Sequence, residues 1–210
     1  GPLHTWLVMI LPQMEQPALF NAYNFMVRYT DASNTTVVSV SIASYFCPSA
    51  VSLPITADGF GANTYAASSG TIPGKTEGLM FPSSSIRTVE IVDGTSTTIA
   101  VGEIYYDNLG WARGAAAGAD GGGGGGAGVA FARSVSRWWS CNSSCAVPGF
   151  NPLASACDNG CERRFQFSSN HPGGAYFAFA DAHVQFLQRS MDVKLYRAMI
   201  TRNGGELVSY

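Results

Sequence analysis

Six consecutive glycines, Gly121–Gly126, lie inside an Ala/Gly tract over 110–128, and no other feature limits the fold of this chain as much. Glycine has no side chain to pack and loses the most backbone entropy when fixed, so no helix or strand of a packed core runs through such a stretch. Tracts of this composition act as flexible connections. β-prone sequence continues on both sides, so the tract reads as a loop insertion within one domain over 1–210. Three roles are open to it: a surface loop, a strip wedged between subunits, or a ligand cradle. Phosphate-binding loops close with Gly-Lys-Ser/Thr, and no lysine follows the tract directly. Packing between subunits, where glycine lets backbones approach closely, is the more informative alternative.

A second insertion, 138–162, holds four of the five cysteines in two C-x3-C pairs, Cys141 with Cys145 and Cys157 with Cys161. Both pairs enclose turn-forming residues, the pattern of loops stapled by disulfides in exported proteins. A four-thiolate zinc site is the rival reading, but zinc ribbons usually space their cysteines C-x2-C. Connectivity stays open, and Cys47 either joins a bridge or stays buried as a thiol. Charged residues make up 12% of the chain, about half the roughly 25% usual for soluble domains. The surface is then covered by Ser, Thr, Asn and Gly, or by neighbouring subunits. Net charge is −2 with the basic residues scattered, which gives no nucleic-acid footprint. The longest strongly apolar run, Leu7–Leu11, is far short of the roughly 20 residues that cross a bilayer. The chain opens on Gly1-Pro2-Leu3 without a visible signal peptide, as expected of a chain whose beginning has been removed by processing or by design.

Local patterns mix helix and strand. Trp6–Leu11 reads as a short apolar helix or strand ended by Pro12, and Pro17 suits the first turn of a helix to about Tyr23. Thr35–Phe46, rich in Val, Ile and Thr with Val38, Val40 and Ile42 alternating, predicts a strand ended by Cys47-Pro48-Ser49. Residues 49–85 read as loops with short strands. Arg87–Val92 and Thr95–Glu103 flank Asp93-Gly94 and predict a hairpin, with a short helix as the alternative for the first run. Arg164–Ser168 reads as a strand, and Asn170 to Gly174 as a turn. Ala175–Ala180 and His183–Leu187 then form a hairpin with an aromatic core face. Ser190 caps a helix to about Thr201 with Met191, Leu195, Ala198 and Met199 inward, stopped by Asn203-Gly204-Gly205.

Several of these segments recur together in one known family. They are His4-Thr5-Trp6 running to Leu11–Gln16, Phe46–Ser49, Asn63–Ala66, and Val92–Ser96 with Gly102-Glu103. The series continues with His171–Gly174, Phe179–Asp181 and Thr201–Glu206. Taken in order along nearly the whole chain, they resemble the planctomycete-type family of type II secretion pseudopilin G-like proteins, whose C-terminal signature is His-x9-Asp-Gly. That resemblance implies an α+β, pilin-like fold, with an antiparallel β-sheet packed against a helix and long loop insertions. It also implies export and membership of a filament or surface assembly. Two departures stand out. The prepilin leader and its long apolar helix are not in this sequence, and position 182 is Ala where the family has Gly. The second residue of an Asp-Gly turn needs positive φ, which Ala adopts less readily, so a different turn is expected there, with His183 drawn into it.

The chemistry-bearing residues favour structure over catalysis. His171, Asp181 and His183 invite a metal or acid–base site, but Asp at a hairpin tip commonly satisfies turn amides, and His171 is placed to lock the turn at Gly173-Gly174. Asp93-Gly94 is read in the same structural way. No Gly-x-Ser-x-Gly elbow occurs, and Glu90, Glu103 and Glu162 are too scattered to read as paired glycosidase carboxylates. Asn34 and Asn142 begin N-x-S/T patterns and are glycosylation candidates. Trp6, Trp111, Trp138 and Trp139 serve either packing or stacking on sugars. The expectation is an exported, non-enzymatic structural subunit without cofactor or metal. Its partners are copies of itself, with glycans as further candidates. The alternative is a monomeric surface module that binds glycans or another ligand.

Overall fold

A computed structural model of the chain describes residues 4–51, 53–71, 76–81, 84–105, 110–113, 132–134 (backbone only) and 166–206. The remainder of the glycine tract and the whole cysteine-rich insertion lie outside the described residues. The chain gathers into two units, Gly1–Thr64 with Asn108–Phe131, and Tyr65–Asp107 with Ala132–Tyr210.

The first unit is built from short helical pieces. Helix α1 spans Trp6–Met9, capped by Thr5, whose Oγ1 accepts the Val8 N–H. A 3₁₀ turn over Leu11–Met14 carries Pro12 at its start, and α2 spans Pro17–Ala22 with Pro17 in its first turn, where the missing N–H costs nothing. After a 3₁₀ turn Ala32–Asn34, α3 covers Thr35–Val38, and a further turn follows at Ala43–Tyr45. The strand expected over Thr35–Phe46 is therefore not formed. Val40 is 37% exposed, whereas Val38, Ile42 and Tyr45 are buried, a spacing of four and three that belongs to helical turns. The apparent alternation through Val40 was the wrong period. Asp31 adds a local reason, its carboxylate accepting the Ser33 N–H at 3.0 Å and starting the helical path.

Trp111 is the centre of this unit's core and is fully buried. Its indole N–H donates to Val40 O at 2.8 Å, and its carbonyl accepts the Thr5 hydroxyl at 2.6 Å. Tyr45 packs beside it, and its hydroxyl donates to Leu7 O at 2.7 Å. Gly61 makes this approach possible, since a Cβ there would lie 2.0 Å from Val40 O and 2.6 Å from the indole nitrogen.

The second unit is a five-stranded sheet of order β3-β1-β2-β4-β5. Its strands are β1 Tyr65–Gly70, β2 Ile99–Glu103, β3 Ala132–Ser134, β4 Gly174–Phe179 and β5 Val184–Gln188. Strands β1, β2, β4 and β5 are antiparallel neighbours, and β3 joins β1 in parallel. With α4, Val193–Ile200, the fold is α+β. Ile99, Phe177, Phe179 and Leu187 line one face and bury against Tyr196, Met199 and Ile200 of α4. Each fully buried large apolar side chain contributes about 1.5–3 kcal/mol. Gly102 opens the space for Phe167 and Phe177 to meet edge to face at 5.3 Å, because a Cβ at 102 would lie 2.5 Å from Phe167 and 2.7 Å from Phe177.

Three further expectations are corrected here. Arg87–Val92 is not the first arm of a hairpin. Thr88–Glu90 is a 3₁₀ turn, the alternative weighed for that run, with Val89 and Val92 more than 70% exposed and giving no sheet face. Gln166–Ser168 is not in a strand, although Phe167 enters the core and Ser168 donates to Glu103 O. The cap of α4 is Asp192, not Ser190, since its carboxylate accepts the Lys194 N–H at 2.7 Å. The helix buries Tyr196, Ala198, Met199 and Ile200, while Met191 and Leu195 pack at the margin.

Candidate functional site

Glu103 ends β2, and the chain then turns away from β4. The Tyr176 N–H on β4 would lose its ladder partner there. The Glu103 carboxylate takes the place, accepting that N–H on Oε2 at 2.9 Å. Its other oxygen accepts from His171 Nε2 at 3.1 Å. The Glu103 carbonyl accepts the Ser168 N–H, and the Ser168 hydroxyl in turn accepts the Tyr105 N–H at 2.8 Å. Only 5% of Glu103 is exposed, so this carboxylate joins three chain segments out of water, where an unmade bond is expensive.

His171 is held from both sides. Its N–H donates to Ser169 Oγ, and its ring meets Tyr176 edge-on at 5.2 Å. The turn that follows needs Gly173 in the left-handed region, φ +81°, and Gly174 without a side chain, because a Cβ there would lie 2.1 Å from Leu187 O. His171 thus fastens its turn onto β2 through Glu103. An imidazole and a carboxylate this close are donors of the kinds that ligate zinc. As an acid–base pair, the carboxylate orients the imidazole.

Asp181 stands at the other end of β4, which is about 20 Å long, so His171 and Asp181 do not share a site. Asp181 pairs instead with His183, accepting from Nδ1 at 2.6 Å and from the His183 N–H at 3.1 Å. These two bonds, the side-chain one first, hold its carboxyl below the usual range. The His183 ring stacks on Phe179 at 4.3 Å. Between them, Ala182 sits at φ +72°. The expectation of a different turn at Ala182 is overturned: the tip is a three-residue loop with Ala in the left-handed position that the resemblance assigns to Gly. Phe179 accepts the Ala182 N–H and donates its own to His183 O, the pattern of a type I turn followed by a left-handed residue.

Asp93 forms a second clasp. Its carboxylate accepts the N–H groups of Gly204 at 2.6 Å and Gly205 at 2.9 Å, and Gly94 beside it lies at φ +100°. The loop after α4 is thereby tied to the segment before β2. Arg202 continues the tie through the carbonyls of Thr76 and Gly78 and lies 5.6 Å from the Phe81 ring centre. Asp93 is bonded to the loop after α4, not across a hairpin.

In the first unit, Asn34 is fully buried, its Oδ1 accepting the Asn24 N–H and its Nδ2 donating to Asn24 O and Arg28 O. In the folded unit the Asn34 amide nitrogen is therefore spent inside the loop. Cys47 is buried, with its N–H donating to Thr64 Oγ1 at 2.7 Å. Burial of Trp111 takes it out of the set of sugar-stacking aromatics. Tyr23, which bonds His4 Nδ1 at 3.0 Å, has its hydroxyl pushed up to about 12 by burial and by Tyr29. Asn142, Cys141, Cys145, Cys157, Cys161, Trp138 and Trp139 lie outside the described residues.

Sequence reasoning missed Glu103 as a site residue, although Gly102-Glu103 was among the recurring segments. Its partner His171 is 68 residues away, and no local pattern reports such a pairing. The recurring segments come together in pairs: Gly102-Glu103 with His171–Gly174, and Asp93-Gly94 with Thr201–Glu206.

A family model described as SBP_bac_10, protein of unknown function (DUF1559), matches residues 1–194. No curated protein and no solved structure matches the chain.

Proposed function

This chain belongs to the DUF1559 family, and from that premise we propose that it is a pilin-like, pseudopilin G-like structural subunit. In this reading it is exported and self-associates into an extracellular filament, tube or pseudopilus-like assembly through contacts of its folded units. The observation that supports this most is the use of the recurring polar residues. Glu103, His171 and Asp93 spend their side chains fastening one segment to another, as a rigid building block requires. A low charged fraction of 12% suits a surface partly covered by neighbours. Among the described residues, no helix is long and apolar enough to cross a membrane.

The competing proposal, a monomeric glycan-binding surface module, loses Trp111 from its set of stacking aromatics. Antibody labelling of intact native cells tests the leading reading. It predicts surface label that shearing releases as large particles. Label that requires permeabilised cells, or that sediments only as monomer, contradicts it.

A further inference from the structure

Strand β5 is an edge of the sheet, and its register fixes which of its backbone groups face outward. Phe179 donates its N–H to His183 O, and Arg189 donates to Gly173 O. By the alternation of an antiparallel ladder, Gln185 and Leu187 also bond to β4. The N–H and C=O groups of Val184, Phe186 and Gln188 therefore point away from the sheet; among the described residues the Gln188 C=O accepts the Met191 N–H at 3.1 Å, and no bond is made by the other five. Natural edges are usually guarded by charged side chains, proline, a bulge or a very short strand. Val184–Gln188 contains no charge and no proline, and its pairing with β4 is unbroken. On the flank of this edge, Tyr176 is 44% and Val184 64% exposed, with Tyr176 5.0 Å from the Phe186 ring.

We propose that this edge is the contact between two copies of the chain, β5 pairing antiparallel with β5 of a second copy about a two-fold axis at Phe186. The proposal rests on the reading of the chain as a self-associating subunit and names the surface it uses. In that register Phe186 faces its own counterpart and exchanges both bonds with it, and Val184 faces Gln188 of the second copy, whose C=O, already accepting the Met191 N–H, takes the Val184 N–H on its second lone pair. The sheet becomes continuous across both copies, and the Tyr176–Phe186 pairs form one aromatic strip over the junction. Charge selects the same direction. The register brings His183, and with it the Asp181 carboxylate, beside Arg189 of the second copy, and the axis makes this contact twice. Arg189 is exposed and makes no ion pair among the described residues. Parallel pairing would instead set Asp181 beside Asp181. A two-fold contact closes on itself, so a longer assembly adds a different surface to this dimer.

Sedimentation velocity of the full chain over a concentration series tests this, with thermal melts to confirm that each variant folds. Gln188→Pro removes an outward N–H without touching the ladder to β4. Because the axis repeats the lesion, the dimer dissociation constant is expected to rise at least about tenfold. Arg189→Glu is expected to weaken the dimer as well, with the loss largest at low salt. Phe186→Cys is expected to form a disulfide-linked dimer on mild oxidation well above the wild-type background, since facing Cα atoms lie about 5.5 Å apart. Wild-type dissociation constants in Gln188→Pro and Arg189→Glu, with no excess Phe186→Cys dimer, overturn the proposal even if the chain assembles by another face. A wild-type chain that stays monomeric at high concentration defeats both this proposal and the reading beneath it.

Discussion

Replacing Ala182 with glycine is expected to stabilise the second unit. Ala182 holds φ +72° at the tip between β4 and β5, a conformation that costs an L-residue about 1–2 kcal/mol. Its side chain is exposed, so little packing is lost with the methyl. Glycine removes the strain but gives the unfolded chain more freedom, an offset of about 0.4–1 kcal/mol. The net gain is then about 0.5–1 kcal/mol, which for a chain of this length raises Tm by roughly 1–4 °C. Urea unfolding followed by far-UV circular dichroism measures it, with an unchanged m-value showing that the unfolded state is comparable. Ala182→Val is the counter-test and is expected to lose more than Ala182→Gly gains, because a β-branched side chain fits the left-handed region worst. A neutral or destabilising Ala182→Gly, with Ala182→Val also harmless, would refute the argument. The tip would then not be held by the two bonds Phe179 makes across it.

Glu103→Ala is expected to cost about 1–3 kcal/mol, because it leaves the Tyr176 N–H without its acceptor in the interior. Glu103→Gln, which keeps one acceptor, should recover part of that loss in the same denaturation assay. Gly102→Ala forces Phe167 and Phe177 apart and is expected to cost about 1–3 kcal/mol as overpacking, read as a lower Tm. The pH dependence at Asp181 has a definite sign. Its carboxyl is held below the usual range by His183, so the bond contributes stability above the unfolded carboxyl value near about 4. That contribution is lost as pH falls through the lower folded value. Asp181→Asn should remove this acid-side loss, and an unchanged acid limb in the variant counts against the pair.

The sequence was legible where side chains act on near neighbours. Ala175–Ala180 and His183–Leu187 have a clean period of two with turn residues between them, and β4 and β5 form there within a residue or two. Pro17 marked a helix start for the same local reason. Thr35–Phe46 misled because β-branched residues favour strands in general, while here the buried set follows a spacing of four and three that tertiary packing selects. Asp93-Gly94 carried a hairpin signal, yet its carboxylate is used 111 and 112 residues away, at Gly204 and Gly205. Glu103 gave no signal of its own for the same reason. Polar clasps between distant segments leave no periodic trace. Ala182 departed from the expected glycine, and the hairpin around it was strong enough to impose the left-handed conformation regardless.

The most direct test of the central claim is electron microscopy of material sheared from native cells, without refolding or added tags. Regular filaments or tubes are expected, with reconstructed density that traces this chain, including the Glu103–His171 clasp and the β4–β5 hairpin. Filaments built from another protein, with this chain recovered only as dispersed monomers, would contradict it.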